Sequence, residues 1–200
     1  MDRRRGHPGG IFALAIHGER AVSAGHDGKL RLWELARLRE RRTLALSARP
    51  LTAVAVHPAG RLAAAAGEDG LVYRVDLATG ASRASGEPRG PIQALAWSGE
   101  AILAAGDDGE LRVHDGAAPR TIARHDAPVR ALAICPGGRC LVSGGADGTI
   151  RLWSPGGDPL DTIDLSSLRD SPQALAFLPD GSLACATKLG VTLVFRISVR

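Results

Sequence analysis

DGKLRLWEL (27–35) sets an Asp-Gly turn directly before a short alternating apolar run, and DGTIRLWS (147–154) repeats it. Asp-Gly between alternating runs is a strong hairpin signal, because glycine tolerates the positive φ that a tight turn demands. Working outward, the dipeptide recurs at Asp69-Gly70 before LVYRVDL (71–77) and at Asp108-Gly109 before ELRVHD (110–115). A degenerate copy, Leu189-Gly190, precedes VTLVFRI (191–197). The spacings are 42, 39, 39 and 42 residues. A fixed period near 40 residues means one supersecondary unit repeated.

Each unit offers four strands. In the first they are IFALAI (11–16), RAVSA (20–24), KLRLWE (29–34) and RTLALS (42–47), with ARLRERR (36–42) as a charged loop. HPAG (57–60), CPGG (135–138) and LPDG (178–181) supply turns after the first strand. A four-stranded sheet buries neither face alone, so neighbours must stack radially. The expected architecture is all-β, about five four-stranded antiparallel blades. The units run about 6–47, 48–87, 88–121, 122–166 and 167–200, in one domain.

Composition narrows the function. Hydrophobic residues make up 44% of the chain but aromatics only 4%. Small residues fill the apolar runs, as in AAAAG (63–67), which predicts modest stability. The net charge is +4, and residues 1–45 hold ten Arg/Lys against five Asp/Glu. That excess, in Arg3-Arg4-Arg5, Arg37, Arg39, Arg41 and Arg42, reads as a solvated tail and loop. No interleaved aromatics support nucleic-acid binding. Cys135, Cys140 and Cys185 are odd in number with no Cys-x-x-Cys, so reduced core thiols are expected, although Cys135 and Cys140 flank one turn. No run is long enough to span a membrane, and IFALAI is short for a signal peptide. A cytoplasmic setting is expected, and Ala/Arg/Gly richness suggests a bacterial source.

At these residues the chain resembles the WD-repeat β-propeller family. Gly6-His7, Ser23, Asp27 and Trp33-Glu34 carry the resemblance in unit one, and His125, Ser143, Asp147 and Trp153-Ser154 in unit four. Units two and three keep Asp69 and Asp108 but replace Trp by Val75 and His114, and Ser by Ala65 and Ala104. The resemblance implies a structural network in which His, Ser, Asp and Trp hydrogen-bond in series. The same residue types make a nucleophilic triad, but the set is repeated and capped by Trp, and no Gly-x-Ser-x-Gly elbow occurs. No catalytic residue, metal ligand or cofactor site is expected.

The resemblance further implies that a protein or peptide partner docks on the narrow face of the propeller. Two positions per unit point there. One set is Phe12, Thr52, Gln93, Arg130 and Gln173. The other is His26, Glu68, Asp107, Ala146 and Lys188. A basic group of the partner would be complemented near Glu68 and Asp107. Family rings most often have seven blades, and this chain shows five. It either forms a five-unit ring clasped by Asp2–Arg5, stays an open arc that oligomerises or completes its ring with another chain, or belongs to a longer propeller.

Overall fold

In a computed structural model of the chain, residues 6–197 are described. They form five antiparallel sheets, four of four strands and one of three. Blade one runs β1 (Ile11–His17), β2 (Arg20–Gly25), β3 (Lys29–Glu34) and β4 (Arg39–Ala45). Blade two has β5 (Leu51–Val56), β6 (Leu62–Gly67), β7 (Val72–Asp76) and β8 (Ser82–Ser85). Blade three has β9 (Ile92–Ser98), β10 (Ala101–Gly106), β11 (Glu110–His114) and β12 (Arg120–Arg124). Blade four has β13 (Val129–Ile134), β14 (Leu141–Gly145), β15 (Thr149–Trp153) and β16 (Pro159–Asp164). Blade five has β17 (Pro172–Phe177), β18 (Leu183–Thr187) and β19 (Thr192–Phe195). Every sheet is a meander of sequence neighbours.

The Asp-Gly turns form for the expected reason. Gly28, Gly70, Gly109, Gly148 and Gly190 have φ of 68°, 74°, 76°, 81° and 84°. In each, the glycine N–H returns to the carbonyl three residues back, as Gly28 does to Gly25 at 3.1 Å. Only the glycine has positive φ, so the turn is type I closed by a left-handed residue.

Inner strands β1, β5, β9, β13 and β17 lie side by side in that order, and apolar clusters fill the four junctions between blades. No comparable contact returns from β17 to β1 among the described residues. The architecture is an incomplete propeller. The proposed clasp, Asp2–Arg5, lies outside the described residues, as do Arg3, Arg4 and Arg5 of the basic cluster.

Two expectations are corrected. The outer strand of blade one begins at Arg39 rather than Arg42. A turn at Leu35–Leu38, with Leu38 at φ 46°, brings Arg39 opposite Glu34, and their side chains pair at 2.7 Å. Most of the charged stretch is therefore an edge strand, where arginines discourage pairing with other chains. Cys135 and Cys140 are not free thiols. The Pro136–Gly138 turn sets them opposite each other, Cα atoms 5.2 Å apart, and they form a disulfide. Cys185 is free and buried.

Candidate partner-binding face

The inner strand of every blade carries one β-bulge, always at the same place. Register skips between Ile11 and Ala13, Leu51 and Ala53, Ile92 and Ala94, Val129 and Ala131, and Pro172 and Ala174. The skipped residues are Phe12, Thr52, Gln93, Arg130 and Gln173. A bulge leaves its extra residue unpaired and re-aims its side chain. The second set is fixed by a repeated backbone bond. His26, Glu68, Asp107, Ala146 and Lys188 each donate N–H to the start of the inner strand, at Gly10, Pro50, Pro91, Pro128 and Ser171, over 2.7–3.1 Å. The structure thus brings both predicted sets to one end of the five inner strands.

Their environments differ. Phe12 is 55% exposed, with the His26 ring 6.2 Å away. His26, Glu68, Asp107, Gln173 and Lys188 are exposed, whereas Thr52 donates its hydroxyl to the Ile92 carbonyl of the next blade. Asp107 accepts from Arg130 at 3.1 Å and Gln93 at 3.3 Å. Glu68 makes no ion pair among the described residues. A partner's cation would therefore meet Glu68, while Asp107 is already answered within the protein.

Beneath this face lie the buried networks. In blade one, His7 Nδ1 donates to Asp27 at 2.6 Å, Ser23 donates to His7 Nε2 at 2.8 Å, and Trp33 Nε1 donates to Ser23 at 2.8 Å. Blade four repeats it. His125 donates to Asp147 at 3.1 Å, Ser143 to His125 at 2.6 Å, and Trp153 to Ser143 at 2.7 Å. Burial works to raise the Asp27 and Asp147 carboxyls. Bonds from His7 and Arg31, and from Thr149 and His125, outweigh it and hold both below the usual carboxylate range. Burial pushes the His125 imidazole down, against the pull of Asp147. Ser23 and Ser143 are fully buried, each with an indole N–H on its oxygen.

Blades two and three satisfy their turn aspartates differently. Asp69 accepts from Tyr73 at 2.6 Å and from Ser47 of blade one's outer loop. Burial and the Asp69 carboxylate push the Tyr73 phenol up to about 12. Asp108 pairs with Arg112, and His114 bonds Ser85 at 2.9 Å. In all four blades the aspartate also accepts the backbone N–H two residues on, at 3.0–3.3 Å. The degenerate fifth turn is held by Asp170, which accepts from Leu189 N–H at 3.0 Å. The Tyr73 substitution was readable, since tyrosine carries a hydroxyl four residues after the aspartate. Asp170 left no signal, because it reaches the turn from the loop before β17.

Elsewhere the molecule offers little for chemistry. A cleft of about 420 Å³ between blades one and two lies at the opposite end, lined by Glu19, Arg20, Trp33 and Arg42 among others. No His/Cys/Asp/Glu group able to hold a metal occurs among the described residues. No helix among them is long and apolar enough to cross a membrane.

Known proteins resemble this chain across most of its length. It is 23% identical to the DENN domain and WD repeat-containing protein SCD1 of Arabidopsis thaliana, over 76% of this chain and 13% of that protein. It is 28% identical to p21-activated protein kinase-interacting protein 1-like of Xenopus laevis, over 86% of this chain and 47% of that one. It is 29% identical to the WD repeat-containing protein sll1491 of Synechocystis, over 66% and 39%. The chain thus spans less than half the length of each of these relatives. Residues 2–34 and 116–154 match the family described as WD domain, G-beta repeat, and they include all the residues of the two full His–Ser–Asp–Trp networks. With five meander blades in sequence order, those matches support a WD-repeat family for the chain.

Proposed function

We propose that this chain is a non-enzymatic interaction scaffold that binds a protein or peptide on the narrow face. The observation that carries the reading is the bulge repeated in all five inner strands, which gathers Phe12, Thr52, Gln93, Arg130 and Gln173 at one end. Phe12 is the apolar anchor, Arg130 the type of cation that interfaces favour, and Glu68 the acid open to a partner's base. The face carries Arg130 and Lys188 against Glu68 and Asp107, a balance that does not suit a phosphate backbone. The buried networks serve as struts, not catalysts. A cytoplasmic, bacterial setting belongs to the same proposal. The test is the triple variant Phe12→Ala, Asp107→Ala, Arg130→Ala, used as bait beside the wild type. Loss of the captured partner set supports the face; an unchanged set rules it out.

A second reading has its own observation. Leu14 and Ile16 on β1 are 59% and 61% exposed at the free side of blade one. On this reading the open arc is an assembly subunit that completes its ring with another chain.

A further inference from the structure

The four blade junctions are built alike, so each defines what the two free faces lack. On every inner strand one side chain lies opposite the network position of the second strand. Leu14 faces Ser23, Val54 faces Ala65, Leu95 faces Ala104, Leu132 faces Ser143 and Leu175 faces Cys185. Two residues on stand Ile16, Val56, Trp97, Ile134 and Phe177.

In blades two to five this pair packs onto the blade before it. Val54 and Val56 join Val22 and Leu30 of blade one. Leu95 and Trp97 join Ala64, Ala66 and Val72 of blade two. Leu132 and Ile134 join Leu103 and Leu111 of blade three. Leu175 and Phe177 join Val142 and Ile150 of blade four. Leu14 and Ile16 alone lie open, though they match Leu132 and Ile134 in position and type.

The receiving face of blade five is open as well. By register, Ala184 and Ala186 stand where blade two has Ala64 and Ala66. Those are the residues that receive the bulkiest pair, Leu95 and Trp97. Ala186, Thr192 and Val194 are exposed, the last at 59%. One chain therefore carries both unmatched halves of a junction whose pattern it repeats four times.

Resting on the second reading above, we infer that the missing neighbour is a second copy of this chain, docked head to tail with Leu14 and Ile16 on the Ala186–Val194 face of blade five. A copy supplies both halves at once. The contact is heterologous, so it closes into a ring or extends, according to the rotation per copy. Burying two aliphatic side chains at one end and a small-residue face at the other follows the same physics as the internal junctions.

The experiment is light scattering on the whole chain over a hundredfold concentration range. It is run for wild type, Leu14→Glu, Ala186→Glu, and the two variants mixed. Both sites are exposed, so the variants should fold, which circular dichroism melts verify. Wild-type mass should rise above the 20.8 kDa monomer with concentration. Each variant alone should associate at least tenfold more weakly. Their mixture should form one-to-one dimers, because one intact half remains on each. Variants that self-associate like wild type overturn the proposal. So does a wild type monomeric throughout. In that case binding of an apolar dye separates the readings. Dye fluorescence that falls on Leu14→Glu leaves the open edge standing with a different occupant. Fluorescence that does not change means the arc closes on itself, and the second reading fails too.

Discussion

Asp147 commits both carboxylate oxygens inside its own blade. It accepts from His125 on one side and from the Thr149 hydroxyl and N–H on the other, with His125 1% exposed above it. Removing the carboxylate strands a buried imidazole N–H, which costs about 1–3 kcal/mol. Asp69 instead holds two hydroxyls, Tyr73 and Ser47, which turn more readily toward water. Asp147→Ala should lower the melting temperature more than Asp69→Ala; equal shifts in calorimetry would refute the ranking. A second residue sets a pH dependence. His114 fills the Trp position of blade three, and burial pulls its imidazole down to about 4. Its unfolded value is near 6.5, so between about pH 6.5 and 4 the unfolded chain binds a proton that the folded one refuses. Stability is therefore complete above that window and falls as pH drops through it, by about 3 kcal/mol for this group. His125, also lowered, acts in the same direction. Urea midpoints measured from pH 7 to 4.5 should fall less steeply for His114→Phe than for wild type. Parallel slopes would show that His114 is not the group responsible.

At the scale of the element, the bulge and the turn act together. Gly106 ends β10 where the Asp107 N–H reaches the Pro91 carbonyl at 2.9 Å. A Cβ at Gly106 would strike that carbonyl and come within 2.8 Å of the Ile92 Cα. Gly106→Ala should cost about 1–3 kcal/mol by denaturant titration, as overpacking against backbone does. Gly156→Ala is the control, since its Cβ meets nothing nearer than 3.5 Å and should be close to neutral. Similar losses at both positions would mean that helix- and strand-independent backbone entropy, not the close approach, decides the cost. This coupling explains what the sequence made legible. Asp-Gly turns and alternating strands are local, and their 40-residue spacing repeated the message until the blades were clear. The two candidate sets were placed at one end by analogy, and the repeated bulge supplies the physical cause of that placement. The rest depends on what another segment delivers. Asp170 holds the fifth turn from across a loop, Ser47 crosses to Asp69, and Cys140 meets Cys135 only after the turn has formed. The start of β4 was hidden because its arginines resemble a solvated loop until Glu34 is known to lie opposite.

For the molecule as a whole, cooperation between blades passes through the junctions. Trp97 is one of two tryptophans buried in them, the other being Trp153. Trp97 is 7% exposed, its indole N–H bonds the Ala55 carbonyl at 3.2 Å, and the His57 ring meets it edge-on at 4.9 Å. Arg74 of blade two lies over it at 5.3 Å. Trp97→Ala removes all of this and leaves a cavity, a loss of about 3–5 kcal/mol. In a repeat array, stability is a sum of unit and neighbour contributions, so that loss falls on one junction. Blades one and two should then unfold apart from blades three to five. Trp33 in blade one and Trp153 in blade four remain as reporters on either side. With Trp97→Ala as the background, Trp33→Phe and Trp153→Phe leave one reporter each, and their urea transitions should separate. Leu14→Ala, made at an open position, should move the monomer by no more than about 0.5 kcal/mol. Coincident transitions in the Trp97→Ala background would mean that the arc unfolds as one unit, with the continuous row of inner strands carrying cooperativity past a broken junction.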